Sequence, residues 1–491
     1  MLPASDQEWI SYLGRMHDRD LAEQRELNAL YEGTAPLQYL QPELLRELDG
    51  RIQTVVLGWP MMAVDPLEER LDLLTFRYPE EDGGPATEQT KGKQREELAS
   101  AVGDANLQRV WQDNDCDEES QMAHIDGLVM KRAYGCVGTN EDDDDTPLVT
   151  FESPLEVFAD IDPRTRRVRA AIRRWRDDES SIVRVRERFL TLYLPDKTVY
   201  QVNNGSGWVT EQVDEHELGE VPVVPLTNRS RLSGRYGRSE LTPALLSLSN
   251  AANKIATDMM VGAEFHAIPL RAIFGIGPND LIDEQGNPVS ALQVIMGKVL
   301  TMSGVSEFDG GGIRAHEFNA SSLTNFHSTL QQLAQHAAGL LGLDPHELGH
   351  TAGDNPASAE GLRARETRLI KRAERRQKAF GGGHEKIARL VRRFQDGDWD
   401  PKAKRLEAVW RDAATPTRAQ AADAAVKLVT ADIIPRRQSW EDLGYTPSQQ
   451  RRMQADFDQQ AEQDPIGRAT KLLGQQMPAG PGDQDPAGGG D

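Results

Sequence analysis

Residues 239–266 read SELTPALLSLSNAANKIATDMMVGAEFH, and residues 323–341 read LTNFHSTLQQLAQHAAGLL. In both stretches apolar side chains recur at alternating spacings of three and four residues. This period indicates a helix with one narrow apolar stripe that packs against a partner. We call the two stretches the first and second seam helices. Their stripes comprise Leu241, Leu245, Leu248, Ala252, Ile255, Met259 and Gly262, then Leu323, Phe326, Leu330, Leu333, Ala337 and Leu340.

Capping residues predict where the first seam helix begins. Ser239 is suited to cap its start, with Glu240 in the first turn and Pro243 close behind. From the rise per residue of a helix, residues 239–266 would span about 42 Å and the second seam helix roughly 30 Å. Neither helix carries residues arranged for catalysis. The pattern therefore predicts helices that pack in a repeated assembly.

Composition and charge narrow the classes of function. The chain has 491 residues, of which 38% are hydrophobic and 6% aromatic, so surface and interface are large relative to core. Its net charge of −22 disfavours affinity-driven binding of nucleic acid. An acidic lining along which DNA slides without sticking is compatible with this charge, and so is a role in solubility alone.

Cysteines and hydropathy indicate the compartment. Cys116 and Cys136 are the only cysteines, too few for a disulfide framework, which predicts folding in a reducing cytoplasm. The first residues show no secretory signal, and no run approaches the roughly 18 apolar residues that cross a bilayer. We expect no contact with a membrane.

Local patterns predict the remaining elements. Helices are expected in the N-terminal part and near the C-terminus, strands over residues 148–228, and short strands and turns over residues 267–321. The triple glycine 310–312 lacks the spacing of a phosphate loop. The segment 221–226 is predicted as an edge strand because it contains two prolines. The predicted helices are 8–31 (ending at Gly33), 42–48, 96–112, 119–134, 358–380, 416–429 and 447–462, and residues 477–491 are predicted to be disordered.

The predicted helix 358–380 is strongly basic, and we call it the basic helix. Its cationic side chains have two interpretations: salt bridges between subunits of an acidic assembly, which we favour, or contact with DNA phosphates. The residues are Arg363, Arg365, Arg368, Lys371, Arg372, Arg375, Arg376 and Lys378.

Residues 346–350 read HELGH and match the zinc motif H-E-x-x-H, in which two histidines one helical turn apart bind the metal. Pro356 occupies the position of a third ligand in the extended motif and cannot bind zinc, although Glu360, Glu366 or Glu374 could be proposed instead. Gly349 and Gly353 also interrupt the helix that the motif needs. We therefore predict no metal, no cofactor and no catalytic residues, with a zinc metallopeptidase as the alternative.

Short motifs in a fixed order resemble phage portal proteins of long-tailed, siphovirus-type phages, the head-tail connector portal family. The order is helix, β-rich insertion, helix, loop and long polar helix, and the resemblance covers about residues 25–460. The motifs are Tyr31-Glu32-Gly33, Pro154-Leu155, Val157 to Asp160, the arginine-rich 164–176, Leu192 to Asp196, Gly219 to Pro225, Asn228-Arg229, Gly237 to Leu241, Asn355 to Glu360, Asp423 to Lys427 and Leu443-Gly444-Tyr445.

This resemblance implies an α+β protein with wing, stem, clip and crown, assembled as a ring of typically twelve copies at one capsid vertex. The implied parts are a wing (1–238 and 358–410), a stem (239–266 and 322–341), a clip (267–321), a tunnel loop (342–357) and a crown (411–476). In the tunnel loop the DNA-facing candidates are His346, Glu347, His350, Thr351, Asp354 and Asn355.

The implied function is a non-enzymatic channel for packaging and ejection of double-stranded DNA. The implied partners are further copies of the chain, the terminase motor, the head-tail connector or adaptor, the major capsid and scaffolding proteins, and DNA without sequence specificity. The implied location is the virion, after synthesis in the host bacterial cytoplasm. A capsid shell or scaffolding protein is a third hypothesis.

Overall fold

The computed structural model describes residues 2–36, 55–78, 104–143, 145–176, 188–203, 205, 207–229, 231–266, 271–274, 299–302, 314–317, 324–349, 359–414 and 418–463. Helices α1 to α11 are Asp6–Tyr31, Trp59–Met62, Asp65–Glu68, Ala105–Asp113, Cys116–Val129, Pro243–His266, Thr324–Leu341, Ala359–Asp396, Arg418–Thr430, Arg436–Asp442 and Pro447–Gln463. Strands β1 to β7 are Leu73–Arg77, Arg132–Gly138, Leu148–Glu152, Val157–Ile161, Val168–Arg176, Arg188–Tyr193 and Lys197–Asn203. Strands β8 to β13 are Trp208–Glu215, Val223–Thr227, Arg271–Phe274, Val299–Met302, Arg314–Glu317 and Glu407–Trp410.

The chain forms two compact units. Unit 1 comprises residues 1–71, 118–136 and 150–383, and unit 2 comprises residues 72–117, 137–149 and 384–491. The region predicted as one wing segment, 1–238, contributes to both units. No helix among the described residues is long and apolar enough to cross a membrane.

Unit 1 contains an antiparallel five-stranded sheet in the order β4-β5-β6-β7-β8. Helix α1 packs against it through Leu13, which is fully buried with Phe158, Ile172 and Leu192. Alternating apolar positions on the strands supply this core because successive strand residues point to opposite faces. The strands predicted over residues 148–228 are confirmed.

Two three-stranded sheets have the orders β3-β2-β9 and β11-β10-β12. Strand β9 lies at a sheet edge, as the prolines of the segment 221–226 predicted, and Pro225 lies opposite Tyr134 of β2. In the second sheet β10 pairs parallel with β11 and antiparallel with β12. The short strands predicted within residues 267–321 therefore form one sheet, while the triple glycine 310–312 lies outside the described residues.

Unit 2 is organised around aromatic side chains. Strands β1 and β13 pair antiparallel, and the ring of Trp111 on α4 makes edge contacts with Phe76 at 5.3 Å and His384 at 5.6 Å. His384 in turn contacts Trp410 at 5.8 Å. These contacts between β1, α4, α8 and β13 bring together elements that are far apart in sequence.

Two predicted helix boundaries are wrong. The helix predicted over 119–134 is α5, which starts at Cys116 and stops at Val129, and residues 132–134 belong to strand β2. Lys131 has a φ of 77°, a left-handed conformation that a helix cannot continue through. Strand β2 is buried along almost its whole length, so it lacks the alternation that marks a strand with one solvated face.

The basic helix is longer than predicted. Helix α8 runs from Ala359 to Asp396, beyond the predicted end at residue 380, and passes through the three glycines 381–383. A Cβ atom on Gly383 would lie 2.4 Å from Cδ2 of Leu226. This glycine therefore allows α8 to approach β9 closely and does not terminate the helix.

Other predicted elements are close to those observed. Ser5 caps α1 by accepting a hydrogen bond from the Glu8 amide, and Gly33 after its end has a φ of 69°. Helices α9 and α11 match the predictions near the C-terminus, whereas the short α10 was not predicted. The predicted helix 42–48, residues 96–103 and the tail 477–491 lie outside the described residues.

Candidate functional site

The first seam helix is α6, and it begins at Pro243, four residues later than predicted. The hydroxyl of Thr242 accepts a hydrogen bond from the Leu245 amide at 3.4 Å, so Thr242 is the capping residue. Ser239 instead accepts from the Leu241 amide. The difference follows from Pro243, because a proline suits the first position of a helix and disfavours helical backbone in the residue before it.

Polar side chains on α6 hold the segment that precedes α2. The amide of Val55 donates to Thr257 Oγ1 at 3.3 Å, and the amide of Leu57 donates to Asn253 Oδ1 at 3.0 Å. Asn253, Thr257 and the neighbouring Ser249 are all buried. The face of α6 that this chain covers is therefore partly polar. The sequence analysis did not predict this polar face, although its signal was present as polar residues spaced four apart in an otherwise apolar helix.

The second seam helix is α7, which contacts α6. Five of the residues buried on the two helices are alanines: Ala252, Ala256, Ala334, Ala337 and Ala338. Small residues allow helix axes to approach closely. Much of the predicted stripe remains available to solvent in the single chain.

The predicted stem-packing residues differ in how far they are buried in the single chain. Leu241 and Leu245 are buried, and Leu340 is exposed. Leu323 lies outside the described residues. The half-buried positions are Leu248, Ile255, Met259, Phe326, Leu330 and Leu333. These residues form an apolar surface that the chain itself does not fully cover.

An ion-pair cluster, which we call the junction, joins the start of α6, the end of α7 and α8. Glu240, 7% exposed, accepts from Arg376 Nε at 2.7 Å and from Arg372 Nη2 at 2.9 Å. Arg372 also donates to the carbonyl of Leu341 at the end of α7. Asn228 donates to the same carboxylate at 3.0 Å. One buried carboxylate and two guanidinium groups thus hold three segments together.

The charge state of Glu240 follows from these contacts. Burial by itself raises the pKa of this carboxyl, but the Arg376 and Arg372 guanidinium groups and the Asn228 amide outweigh it and bring the pKa below its ordinary value. Glu240 is therefore ionised at neutral pH.

The junction gives Arg372 and Arg376 a role that neither interpretation of the basic helix included, since their partner is a carboxylate of the same chain. Arg368 donates to the carbonyl of Gly339, and Lys371 pairs with Glu374 at 2.8 Å on the same helix. Arg375 and Lys378 are exposed, while the side chains of Arg363 and Arg365 lie outside the described residues. A cavity of about 370 Å³ adjoins the junction and is lined by Glu240, Thr242, Leu340, Leu341, Arg368, Lys371, Arg372 and Arg375.

The start of the predicted tunnel loop is a capped turn. Residues Pro345–Leu348 form a 3₁₀ turn in which Asp344 caps the His346 amide and Glu347 reaches back to the Asp344 amide. Gly349, with a φ of 79°, ends the turn. His346 and Glu347 are exposed, and His350, Thr351, Asp354 and Asn355 lie outside the described residues.

This turn does not have the geometry of the zinc motif. The motif needs an α-helix that continues through both histidines, whereas the turn ends at Gly349, before His350. The carboxylate of Glu347 is engaged by the backbone of its own turn. Among the described residues no group of three or more His, Cys, Asp and Glu side chains is placed to hold a metal ion.

Comparisons with solved structures give low similarity. The chain aligns with the virion of a native gene transfer agent particle at a TM-score of 0.37 and 13% identity, covering 86% of this chain and 93% of the other. It aligns with the neck of that particle, "computed with C12 symmetry", at a TM-score of 0.38 and 12% identity, covering 84% and 97%.

Sequence comparisons are far stronger. The portal protein of Mycobacterium phage D29 is 36% identical over 405 residues, which are 81% of this chain and 77% of that protein. The portal protein of Mycobacterium phage L5 is 35% identical with the same coverage. The family model described as "Phage portal protein, SPP1 Gp6-like" matches residues 11–463. The chain therefore belongs to the SPP1 Gp6-like family of phage portal proteins.

Proposed function

We propose that the chain assembles as a ring of typically twelve copies at one vertex of a phage capsid and forms the channel for double-stranded DNA. The observation that carries this proposal is the family match over residues 11–463. The proposed ring is a component of the virion. It binds the terminase motor during packaging and the head-tail connector afterwards, and it meets the major capsid and scaffolding proteins around its rim.

The surfaces of α6 and α7 support assembly. Several alanines of these two helices are buried, whereas the larger residues Leu248, Ile255 and Met259 stay half-buried and Met260 is 48% exposed. In a closed ring each copy meets two neighbours through different surfaces. We propose that α6 and α7 form the stem, and that neighbouring copies cover these residues.

The remaining parts follow the same proposal. Residues 1–238 and 358–410 form the wing, 267–321 the clip that faces the motor, 342–357 the tunnel loop and 411–476 the crown. DNA passes without sequence specificity, and the net charge of −22 opposes tight binding of its phosphates. We propose no catalytic activity, and the turn geometry at residues 345–348 supports this over a zinc peptidase.

Imaging of the purified full-length chain tests the assembly. We expect negative-stain images to show rings with a central hole. Shells, rods or monodisperse single chains in the same images would contradict the ring and favour a capsid shell, a scaffolding protein or another monomeric role. Zinc bound in equal amount to protein, with peptide cleavage that Glu347→Gln abolishes, would support the peptidase instead.

Deletion of residues 346–354 tests the tunnel loop. The junction lies outside the deletion, so we expect rings to form as in the wild type while packaging or retention of DNA is impaired. The readout is the amount and length of DNA in assembled particles. Particles that fill with and retain full-length genomes would show that these residues do not act on DNA.

A further inference from the structure

Arginines from two loops of unit 1 line one cavity on its surface. The cavity has a volume of about 340 Å³ and is lined by Arg166, Arg229, Arg231, Leu232 and Gly234. The three arginines are exposed, and no hydrogen bond or ion pair between described residues engages their guanidinium groups. We call this surface the arginine patch.

The loop that carries the patch is fixed at its base. Asn228, fully buried, donates to the carbonyl of Arg238 at 2.8 Å, and the Arg238 amide donates to the Asn228 carbonyl at 3.0 Å. Gly237 between them has a φ of 84°, and a Cβ atom there would lie 2.2 Å from the Lys131 carbonyl oxygen. Only glycine fits this position, so the loop leaves its base in one direction.

A second set of contacts presses the loop against the turn between β4 and β5. Arg235 donates to the Ile161 carbonyl at 3.0 Å, and the Ile161 amide donates to the Tyr236 hydroxyl at 3.5 Å. Arg166 lies in that turn and has a φ of 64°. The turn is fixed by the Asp162 carboxylate, which accepts hydrogen bonds from the amides of Arg164 and Thr165. Arg166 is thereby held beside Arg229 and Arg231 before any ligand arrives.

The charge of the patch suits an anionic partner. Acidic residues outnumber basic ones in this chain by 78 to 56, yet these three guanidinium groups are left without a carboxylate of the described chain. Nearby acidic side chains are engaged elsewhere: Asp160 with Arg169 at 2.6 Å, and Glu220 with Arg167 at 3.2 Å. Guanidinium groups bind carboxylates and phosphates through paired hydrogen bonds, so either anion suits them chemically.

Leu232 distinguishes between these partners. It sits among the arginines and is 92% exposed. A DNA backbone does not cover an apolar side chain at the centre of its contact, whereas a protein surface does. The net negative charge of the chain disfavours DNA, whereas a second copy of this acidic chain can supply both carboxylates for the arginines and a surface that covers Leu232.

We infer that the arginine patch binds an acidic surface of an adjoining copy of this chain, with Leu232 packed at the centre of the contact. This inference rests on the proposed ring. In a ring the two surfaces of each contact differ, so a basic patch on one copy can meet an acidic surface on the next all the way round.

Charge reversal tests the inference in the full chain. We expect Arg166→Glu/Arg229→Glu/Arg231→Glu to raise the concentration needed for half-assembly about tenfold or more at low salt. The control is Lys404→Glu/Arg405→Glu/Arg452→Glu, which alters three exposed cations of unit 2 and changes the net charge equally. The readouts are ring counts in negative-stain images and mass distributions in solution, with circular dichroism to verify folding.

Zero-length crosslinking gives a second measurement that does not depend on losing assembly. In Arg231→Lys, a carbodiimide should join the introduced amine to a carboxylate of the neighbour, giving dimers on a denaturing gel and an intersubunit peptide by mass spectrometry. Absence of this crosslink in rings that do form would overturn the inference.

The outcomes separate this inference from the proposed function. Normal rings from the triple patch variant would overturn the inference and leave the ring intact. Normal rings that lose affinity for a short fluorescent DNA duplex would assign the patch to phosphates and also overturn it. If the wild-type chain forms no rings at any salt concentration, the proposed assembly fails and the inference fails with it.

Discussion

Unit 1 uses arginine in two opposite ways. At the junction Arg372 and Arg376, with side chains 19% and 11% exposed, share the buried carboxylate of Glu240. At the arginine patch Arg166, Arg229 and Arg231 are exposed, and no described residue pairs with them. Clusters of basic residues in an acidic chain therefore have to be distinguished by their partners: a paired arginine stabilises the fold, and an unpaired one is available to a partner outside it.

Removing the carboxylate of the junction should have the largest effect. Glu240→Gln leaves two largely buried guanidinium groups without their anion, and we expect a loss of about 3 kcal/mol in the free energy of unfolding. Denaturant unfolding of the full chain measures this loss. The matched control is Glu374→Gln, which removes only the exposed pair with Lys371 and should cost less than about 0.5 kcal/mol. Equal losses of unfolding free energy in the two variants would show that the junction stabilises the fold no more than an exposed ion pair does.

Substituting the glycine where α8 approaches β9 should have the next largest effect. A methyl group at Gly383 would meet Leu226, which is fully buried, and we expect Gly383→Ala to cost about 1–3 kcal/mol in the free energy of unfolding. Gly382→Ala is the control, because no atom lies within 4 Å of its added Cβ and alanine favours a helix. That variant should gain about 0.5–1 kcal/mol. A loss in both variants would mean that helix packing here is not governed by the Leu226 contact.

Lowering the pH should reduce the difference in unfolding free energy between the wild type and Glu240→Gln. The pKa of Glu240 in the folded state lies below its ordinary value of 4.5. Its contribution to the free energy of unfolding is therefore complete above the unfolded-state pKa, and it is lost as the pH falls through the folded-state pKa. We expect the gap in unfolding free energy to be constant from neutral pH to about pH 5 and to narrow below about pH 4. A gap that widens in acid would contradict an ionised Glu240.

The arginine patch should give the smallest effect on stability. Arg166→Gln and Arg229→Gln remove exposed, unpaired charges, and we expect each to change the unfolding free energy of the unassembled chain by no more than about 0.5 kcal/mol. The measurement is denaturant unfolding under conditions that disfavour assembly. A loss comparable to that of Glu240→Gln would mean that these arginines hold the fold, which would remove the contrast between the two regions.

Elements with a regular local pattern could be predicted from the sequence. The three-four spacing in residues 324–341 predicted α7 to within one residue, and the prolines in residues 221–226 predicted an edge strand. Gly33 predicted the end of α1 because a left-handed residue stops a helix. In each case the signal and the structure it specifies lie within a few neighbouring residues.

The junction could not be predicted, because its residues are distant in sequence. Glu240 lies 132 residues from Arg372 and 136 from Arg376, and no local pattern reports such a pairing. The same limit applies to Gly383 of α8, whose packing partner Leu226 belongs to a distant strand. The prediction that Ser239 caps α6 is wrong for a local reason, since Pro243 starts the helix and makes Thr242 the capping residue.

The closed base of the 229–237 loop has a consequence for how this protein can evolve. Gly237 and Asn228 accept no substitute without disturbing the backbone around Lys131 and Arg238. The exposed positions 229, 231 and 232 carry no such constraint. Selection can therefore rewrite the tip of the loop to suit a changed partner while its attachment stays as it is, so that new specificity arises without a new fold.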